Sequence, residues 1–369
     1  MPNFFIPAAL FIETKGMVRI MKEINVNITY DSTVTINQHA LYYLAGVKPN
    51  LEWKLRTIAA HKIPSQEELI ELELQKEQAE RYINTQEGML EVAKFTEECV
   101  SIFHSLQHDP SCIIDYLQGK KIIFVAGATR TGGTFLTSKL FEVFKMRLED
   151  FNLHMVHDTL PNMPKSFPNE VNELPNFLFE LAQVIVWIKR EFKNSHIAIK
   201  KRTSFEYYLP LLYNIFGDNA EYILTIRHPV PSGFSMAKKK GIEVNSHCSP
   251  AWWYDLIESR KGLSGRKWDR LNCIERFAMY WQICYEAVAK NRNYKQKIKV
   301  VPYNKHSFQD LISYIAYKYH GNNVILNDFI VTAKDYKGTW SKDYMDNVIE
   351  QVNYHWELSR LKFPILELK

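Results

Sequence analysis

The sequence predicts an α/β fold: a central parallel β-sheet between two helical layers, preceded by a mainly helical N-terminal extension. Three observations carry this expectation. A short, wholly apolar run at residues 122–126 and a second, mostly apolar run at 222–226 are too short for helices and have the texture of strands buried on both faces. Helical patterns at 176–192 and 207–216 alternate with a further short strand pattern at 196–200, and β and α segments in alternation imply a parallel sheet. A Gly- and Thr-rich turn joins the first apolar run to a helical pattern, the order that opens a nucleotide-binding α/β unit.

In chain order, Val26, Ile28, Tyr30, Val34 and Ile36 alternate with polar residues, which predicts a strand or hairpin over 25–36. Ser65 after Pro64, with Glu68 three residues on, forms a capping-box start. The charged, Leu-rich stretch beyond it runs towards His104 with Gly88 as the expected break, so a structural helical hairpin is predicted here. The texture changes at Gly119, which divides the chain into an extension, 1–118, and a nucleotide-binding α/β domain, 119–369. After the turn, Phe135, Leu136, Leu140, Phe141 and Phe144 predict a helix ending near Met146. Further helices are expected at 274–291, 307–319 and 344–361, with a strand at 298–302.

Composition narrows the class. The 369 residues allow one large domain or two small ones, and 46% hydrophobic with 24% charged residues places the chain among folded globular proteins. A net charge of +5 suits an anionic ligand but is too small for a nucleic-acid coat, so no nucleic-acid partner is expected. Cys99, Cys112, Cys248, Cys273 and Cys284 are odd in number and lack C-x-x-C spacing, which predicts reduced thiols, neither a disulfide framework nor a zinc site, and a cytoplasmic setting. The apolar run at 4–12 is interrupted by Pro7 and followed by Glu13, unlike a signal peptide, and no stretch approaches the roughly 20 apolar residues of a membrane span.

The turn Gly127-Ala-Thr-Arg-Thr-Gly-Gly-Thr134 has the spacing G-x-x-x-x-G-K-[ST], except that Gly133 stands in place of the lysine. Converging backbone N–H groups and a helix N-terminus still predict phosphate or sulfate binding, in a fold of the P-loop type. What is lost is the cation on which ATP chemistry depends. Arg130 supplies a cation three positions earlier. Downstream, Ala220-Glu-Tyr-Ile-Leu-Thr-Ile-Arg-His-Pro229 is a strand ending in Arg227, with Ser235 eight residues further on. Taken alone, Arg227 could equally pair with an acidic neighbour at the strand end.

Together these motifs resemble the PAPS-dependent sulfotransferases, which use 3′-phosphoadenosine 5′-phosphosulfate. Their phosphosulfate loop, P-[KR]-[ST]-G-[ST]-T, is similar to Thr129, Arg130, Thr131, Gly132, Gly133 and Thr134, with Thr129 in place of proline and Gly133 in place of a hydroxyl residue. Their R-[DN]-P segment, which binds the nucleotide 3′-phosphate with a later serine, is similar to Arg227-His-Pro229 and Ser235, with His228 as a departure. Val300-Val-Pro-Tyr303 resembles the strand before a Tyr-Glu-Asp signature, although Asn304 and Lys305 replace the acids. Tyr336-Lys-Gly-Thr-Trp340 resembles the late nucleotide loop and assigns Lys337 and Gly338 to it, whereas Arg260-Lys261-Gly262 comes too early. The resemblance covers roughly 120–368.

The resemblance implies transfer of a sulfuryl group to a hydroxyl or amine, with no metal. Arg130 and Lys200 (or Lys201) would serve the leaving group. The base would come from His154, His157 and Asp158, with His157 favoured and Asp158 beside it. The acceptor is expected to be a small molecule, for instance a natural product. Trp252, Trp253 and Tyr254 are either core or an acceptor wall. Self-association through the N-terminal helices is a further expectation. Two alternatives stay open: a P-loop kinase or ATPase, and a catalytically inactive nucleotide-binding interaction protein.

Overall fold

The computed structural model describes residues 23–29, 32–47, 65–159, 174–203, 206–247, 268–289, 297–329, 336 and 340–368. The chain begins with an antiparallel hairpin, β1 (Glu23–Thr29) and β2 (Ser32–Asn37), in which Val26 pairs with Val34. Asn37 then turns the chain into α1 (Gln38–Leu44) by accepting from the Ala40 N–H at 2.9 Å. The expected capping box starts α2 (Gln66–Ile83): Ser65 and Glu68 satisfy each other's backbone N–H groups. The break before α3 (Gln86–His108) falls earlier than Gly88, at Asn84 and Thr85, because Thr85 caps the new helix. Gly88 instead lies inside that first turn, where a β-carbon would collide with the Tyr82 carbonyl oxygen.

After the short α4 (Cys112–Tyr116) come β3 (Lys121–Ala126), α5 (Gly133–Val143), α6 (Leu153–His157) and α7 (Leu174–Glu191). β4 (Ile197–Lys201), α8 (Leu209–Phe216), β5 (Ala220–Ile226) and α9 (Pro229–Lys240) follow. The chain continues through α10 (Cys273–Ala289), β6 (Ile298–Pro302), α11 (Lys305–Lys318) and α12 (Lys342–Leu358). The four strands form one parallel sheet in the order β4-β3-β5-β6. The molecule is therefore α/β, with helices flanking a parallel sheet.

The two short apolar runs become the central strands β3 and β5, buried along nearly their whole length. The chain passes from β3 to β4 on one side, then returns to place β5 on the other. Such a reversal opens a crevice beyond the carboxyl ends of the two strands, where ligands of open α/β sheets bind. The loop after β3 and the arginine after β5 both emerge there.

The change of texture at Gly119 does not divide the core. One apolar cluster runs from Val34 and Ile36 through Phe95 and Phe103 to Ile123, Trp187, Trp281 and Trp356. Polar ties follow the same seam: the Gln183 amide on α7 accepts from the Asn37 N–H and donates to the Thr35 carbonyl. Arg190, in the last turn of α7, meets Glu91 at 2.6 Å and Glu98 at 2.5 Å on α3. Cys99 in α3 and Cys273 and Cys284 in α10 are buried, and Cys112 is partly exposed. Among the described residues no helix is long and apolar enough to cross a membrane.

Candidate functional site

The loop 127–134 leaves β3 through a backbone that ordinary residues avoid. Gly127 has φ of 148° and a β-carbon there would collide with the Thr225 hydroxyl of β5; Gly132 has φ of 90° and faces the Tyr303 ring. Between them Arg130 is itself at φ 68°. Hydroxyls fasten the loop from below: Thr131 donates to the Ala128 carbonyl at 2.8 Å and lies 2.8 Å from the Thr225 hydroxyl. From α10, the hydroxyl of Tyr285 accepts from the Ala128 N–H at 3.3 Å, and that of Tyr280 accepts from the Thr129 N–H at 3.0 Å. Tyr285 is anchored in turn by donating to the Thr225 carbonyl at 2.7 Å. Helix α5 then starts at Gly133 and Thr134 with no side-chain cap, leaving its first N–H groups to the crevice.

Two arginines converge on this loop. Arg130 reaches across to α9, where its Nε donates to the Ser235 hydroxyl at 2.8 Å. Arg227 leaves β5 with its guanidinium 4.3 Å over the Tyr303 ring, and its carbonyl accepts from the Trp281 indole at 2.9 Å. Its buried Nε has no acceptor among the described residues. Burial, then the neighbouring Arg227, lower the basicity of Arg130, and burial does the same to Arg227. Like charges held this way, with a buried donor to spare, favour an anion between them.

His228 caps α9: its Nδ1 accepts from the Val230 N–H at 3.2 Å and starts the helix. Burial pushes its pKa down to about 4, so the ring is neutral and can accept. In the tail, Asn304 caps α11 and accepts from the Ser307 N–H, leaving Tyr303 as the strand's contribution to the site. Tyr336 packs edge-on to Phe234 of α9 at 5.1 Å, and its carbonyl accepts from the Trp340 indole at 2.7 Å. Lys337 and Gly338, like Trp252, Trp253, Tyr254 and the 260–262 segment, lie outside the described residues.

The two strand lysines part company. Alternation on β4 sends Lys200 to one face, where it is fully buried and donates to the carbonyls of Met155 at 2.7 Å and Val156 at 3.1 Å. That contact closes the end of α6, and the loop does not share it. Lys201 points to the other face, where its Cε lies 3.5 Å from a β-carbon built on Gly133. Lys201 therefore lies beside Gly133, the position at which the spacing of loop 127–134 lacks its lysine. Burial pulls its pKa down to about 8.

The expected base region is more enclosed than its sequence suggests. His157 ends α6 with 1% of its surface exposed, and burial, followed by Lys201, holds it neutral, well below the ordinary histidine value. Asp158 reaches the His154 Nδ1 at 2.8 Å and Arg202 at 3.5 Å. Burial opposes its ionisation, but those two partners outweigh it and keep the carboxyl well below the usual range. His39, His154 and Asp158 hold potential ligand atoms within 4.8 Å of one another. The two imidazoles lie face to face, 4.3 Å apart and 4° from parallel, so their in-plane lone pairs do not converge on one point.

One group the sequence did not single out is Glu206, fully buried just after β4, with the Gly127 N–H and its own N–H facing the carboxyl. Its signal was faint: a lone glutamate in an aromatic stretch, six residues after Lys200. No protein-family model, curated protein or solved structure matches the chain.

Proposed function

We propose that this chain is a sulfotransferase that moves the sulfuryl group of 3′-phosphoadenosine 5′-phosphosulfate to a hydroxyl or amine of a small molecule, on a fold of the P-loop type. The observation that carries this reading is the 2.8 Å hydrogen bond from Arg130 to Ser235. It brings together the two motifs that the resemblance assigns to opposite ends of one nucleotide, although they lie about 100 residues apart in sequence.

In the reaction, the acceptor oxygen attacks sulfur, and the bond from sulfur to the 5′-phosphate bridging oxygen breaks. Negative charge grows on that oxygen. Arg130, Lys201 and the N–H groups at the start of α5 stabilise it, and Arg227 with Ser235 holds the 3′-phosphate. The acceptor's proton passes to a base, for which His157 is the candidate from the resemblance. No metal has a part in this scheme.

Titration calorimetry with 3′-phosphoadenosine 5′-phosphate, set against ADP and ATP, tests the proposal. A clear preference for the 3′-phosphorylated nucleotide is expected; equal affinity for all three would sink it. The enclosure of His157 favours one second reading, a nucleotide-binding protein without transfer. Tight binding with no product from a broad panel of hydroxyl and amine acceptors would select that reading.

A further inference from the structure

Glu206 lies on a single 3-10 turn, Glu206–Tyr208, between β4 and α8, at the root of the loop rather than at its tip. Its side chain is 0% exposed and neither oxygen has a hydrogen-bond partner of good geometry among the described residues. The groups facing it come from three elements: the Gly127 N–H at the end of β3, Lys201 from β4 and Tyr285 from α10. Tyr285 is the same residue that holds the Ala128 N–H. A buried carboxyl set beside the amides and the lysine of an anion site poses an electrostatic problem. If it were ionised it would cancel one of the positive charges the site depends on.

We propose that Glu206 is a positioning residue of the anion site: a buried carboxyl at the loop root, beside the Gly127 N–H and Lys201, whose charge state sets how tightly the loop holds an anion. The inference rests on loop 127–134 being an anion site and does not depend on which nucleotide it takes. Burial raises the Glu206 carboxyl from 4.5 to about 8, with the backbone N–H groups and Lys201 opposing the rise only in part. The acid is therefore mostly protonated near neutrality and loses its proton in the same range in which Lys201 loses its own. Loss of the Lys201 proton removes a positive charge and loss of the Glu206 proton adds a negative one, so affinity falls with rising pH on two accounts. Only one of them belongs to Glu206.

The experiment compares wild type, Glu206→Gln and Lys201→Met by calorimetry from about pH 6.5 to about pH 9.5. Two probes are used, 3′-phosphoadenosine 5′-phosphate and inorganic pyrophosphate. Glutamine imitates the neutral acid. Glu206→Gln should match wild type within about twofold near pH 7 and bind roughly tenfold more tightly than wild type near pH 9.5, about the effect of removing one nearby charge. Lys201→Met should be weak at every pH yet keep a residual alkaline fall. Identical pH profiles for wild type and Glu206→Gln would overturn the proposal, and so would failure of wild type to bind either probe.

Should the glutamine variant not fold, infrared difference spectra of wild type between the two pH limits decide the matter. A buried protonated carboxyl band lost on the alkaline side supports the proposal, and its absence near pH 7 refutes it. Binding of pyrophosphate with the expected pH behaviour, but without preference for the 3′-phosphorylated nucleotide, would reject the sulfotransferase reading and leave Glu206 in its role.

Discussion

Arg227 and the lysine pair Lys200 and Lys201 make the sharpest predictions at the residue scale. Arg227 holds a guanidinium against Tyr303 with a buried donor to spare, so Arg227→Ala should cost about 2–4 kcal/mol of affinity for 3′-phosphoadenosine 5′-phosphate. Calorimetry reads this as a loss of roughly 30- to 1,000-fold with the melting temperature little changed. The lysines should separate cleanly. Lys200→Ala strips the Met155 and Val156 carbonyls of their donor and should lower stability by about 1–3 kcal/mol with nucleotide affinity retained; Lys201→Ala should do the reverse. Thermal melts and titrations on the same two samples check both. From sequence, Lys200 and Lys201 were interchangeable cations. What distinguishes them is strand phase, which can be assigned only once the β4 register against Phe124 and Val125 is known. Arg130, Arg227 and Ser235 were legible because each sits at a fixed offset from a Gly-rich turn or a strand end. Glu206 was not, since nothing in a lone glutamate announces that Gly127, 79 positions earlier, will lie beside it.

At the scale of elements, α10 deserves more weight than its sequence suggested. It read as a long helix and nothing else, yet Tyr280 and Tyr285, five residues apart, present hydroxyls to two successive loop amides. The double substitution of Tyr280 and Tyr285 by Phe should leave α10 and its packing intact while two loop N–H groups lose their acceptors. A cost of about 1–3 kcal/mol in nucleotide affinity is expected. Amide hydrogen exchange should speed up at Ala128 and Thr129 and stay unchanged in β3; no change at the loop would contradict the assignment. The strands and helices themselves were legible because period and caps are local signals. The Ser65–Glu68 box and the runs at 122–126 and 222–226 appear where expected. The helix break was misplaced at Gly88 because a glycine in sequence looks the same whether it ends a helix or admits a neighbouring carbonyl.

Across the whole molecule, the extension and the sheet share one core, although the composition changes at Gly119. Residues 119–369 on their own would leave the α3-facing side of α7 and the charge of Arg190 without partners. That fragment should therefore be poorly soluble or molten, as near-ultraviolet circular dichroism would report; a cooperative melt equal to that of the full chain would show that the extension is dispensable. Sequence could not reveal this continuity, because the contacts joining Asn37 to Gln183 and Glu98 to Arg190 span 146 and 92 positions. The buried thiols turn the shared core into a clock. Cys99 reports on α3 and Cys273 with Cys284 on the helix that carries the loop tyrosines, and none can react with a labelling reagent until its own helix opens. A single rate for all three would mean that the extension and the crevice at the sheet's carboxyl edge breathe as one body; separate rates would time the fraying of each.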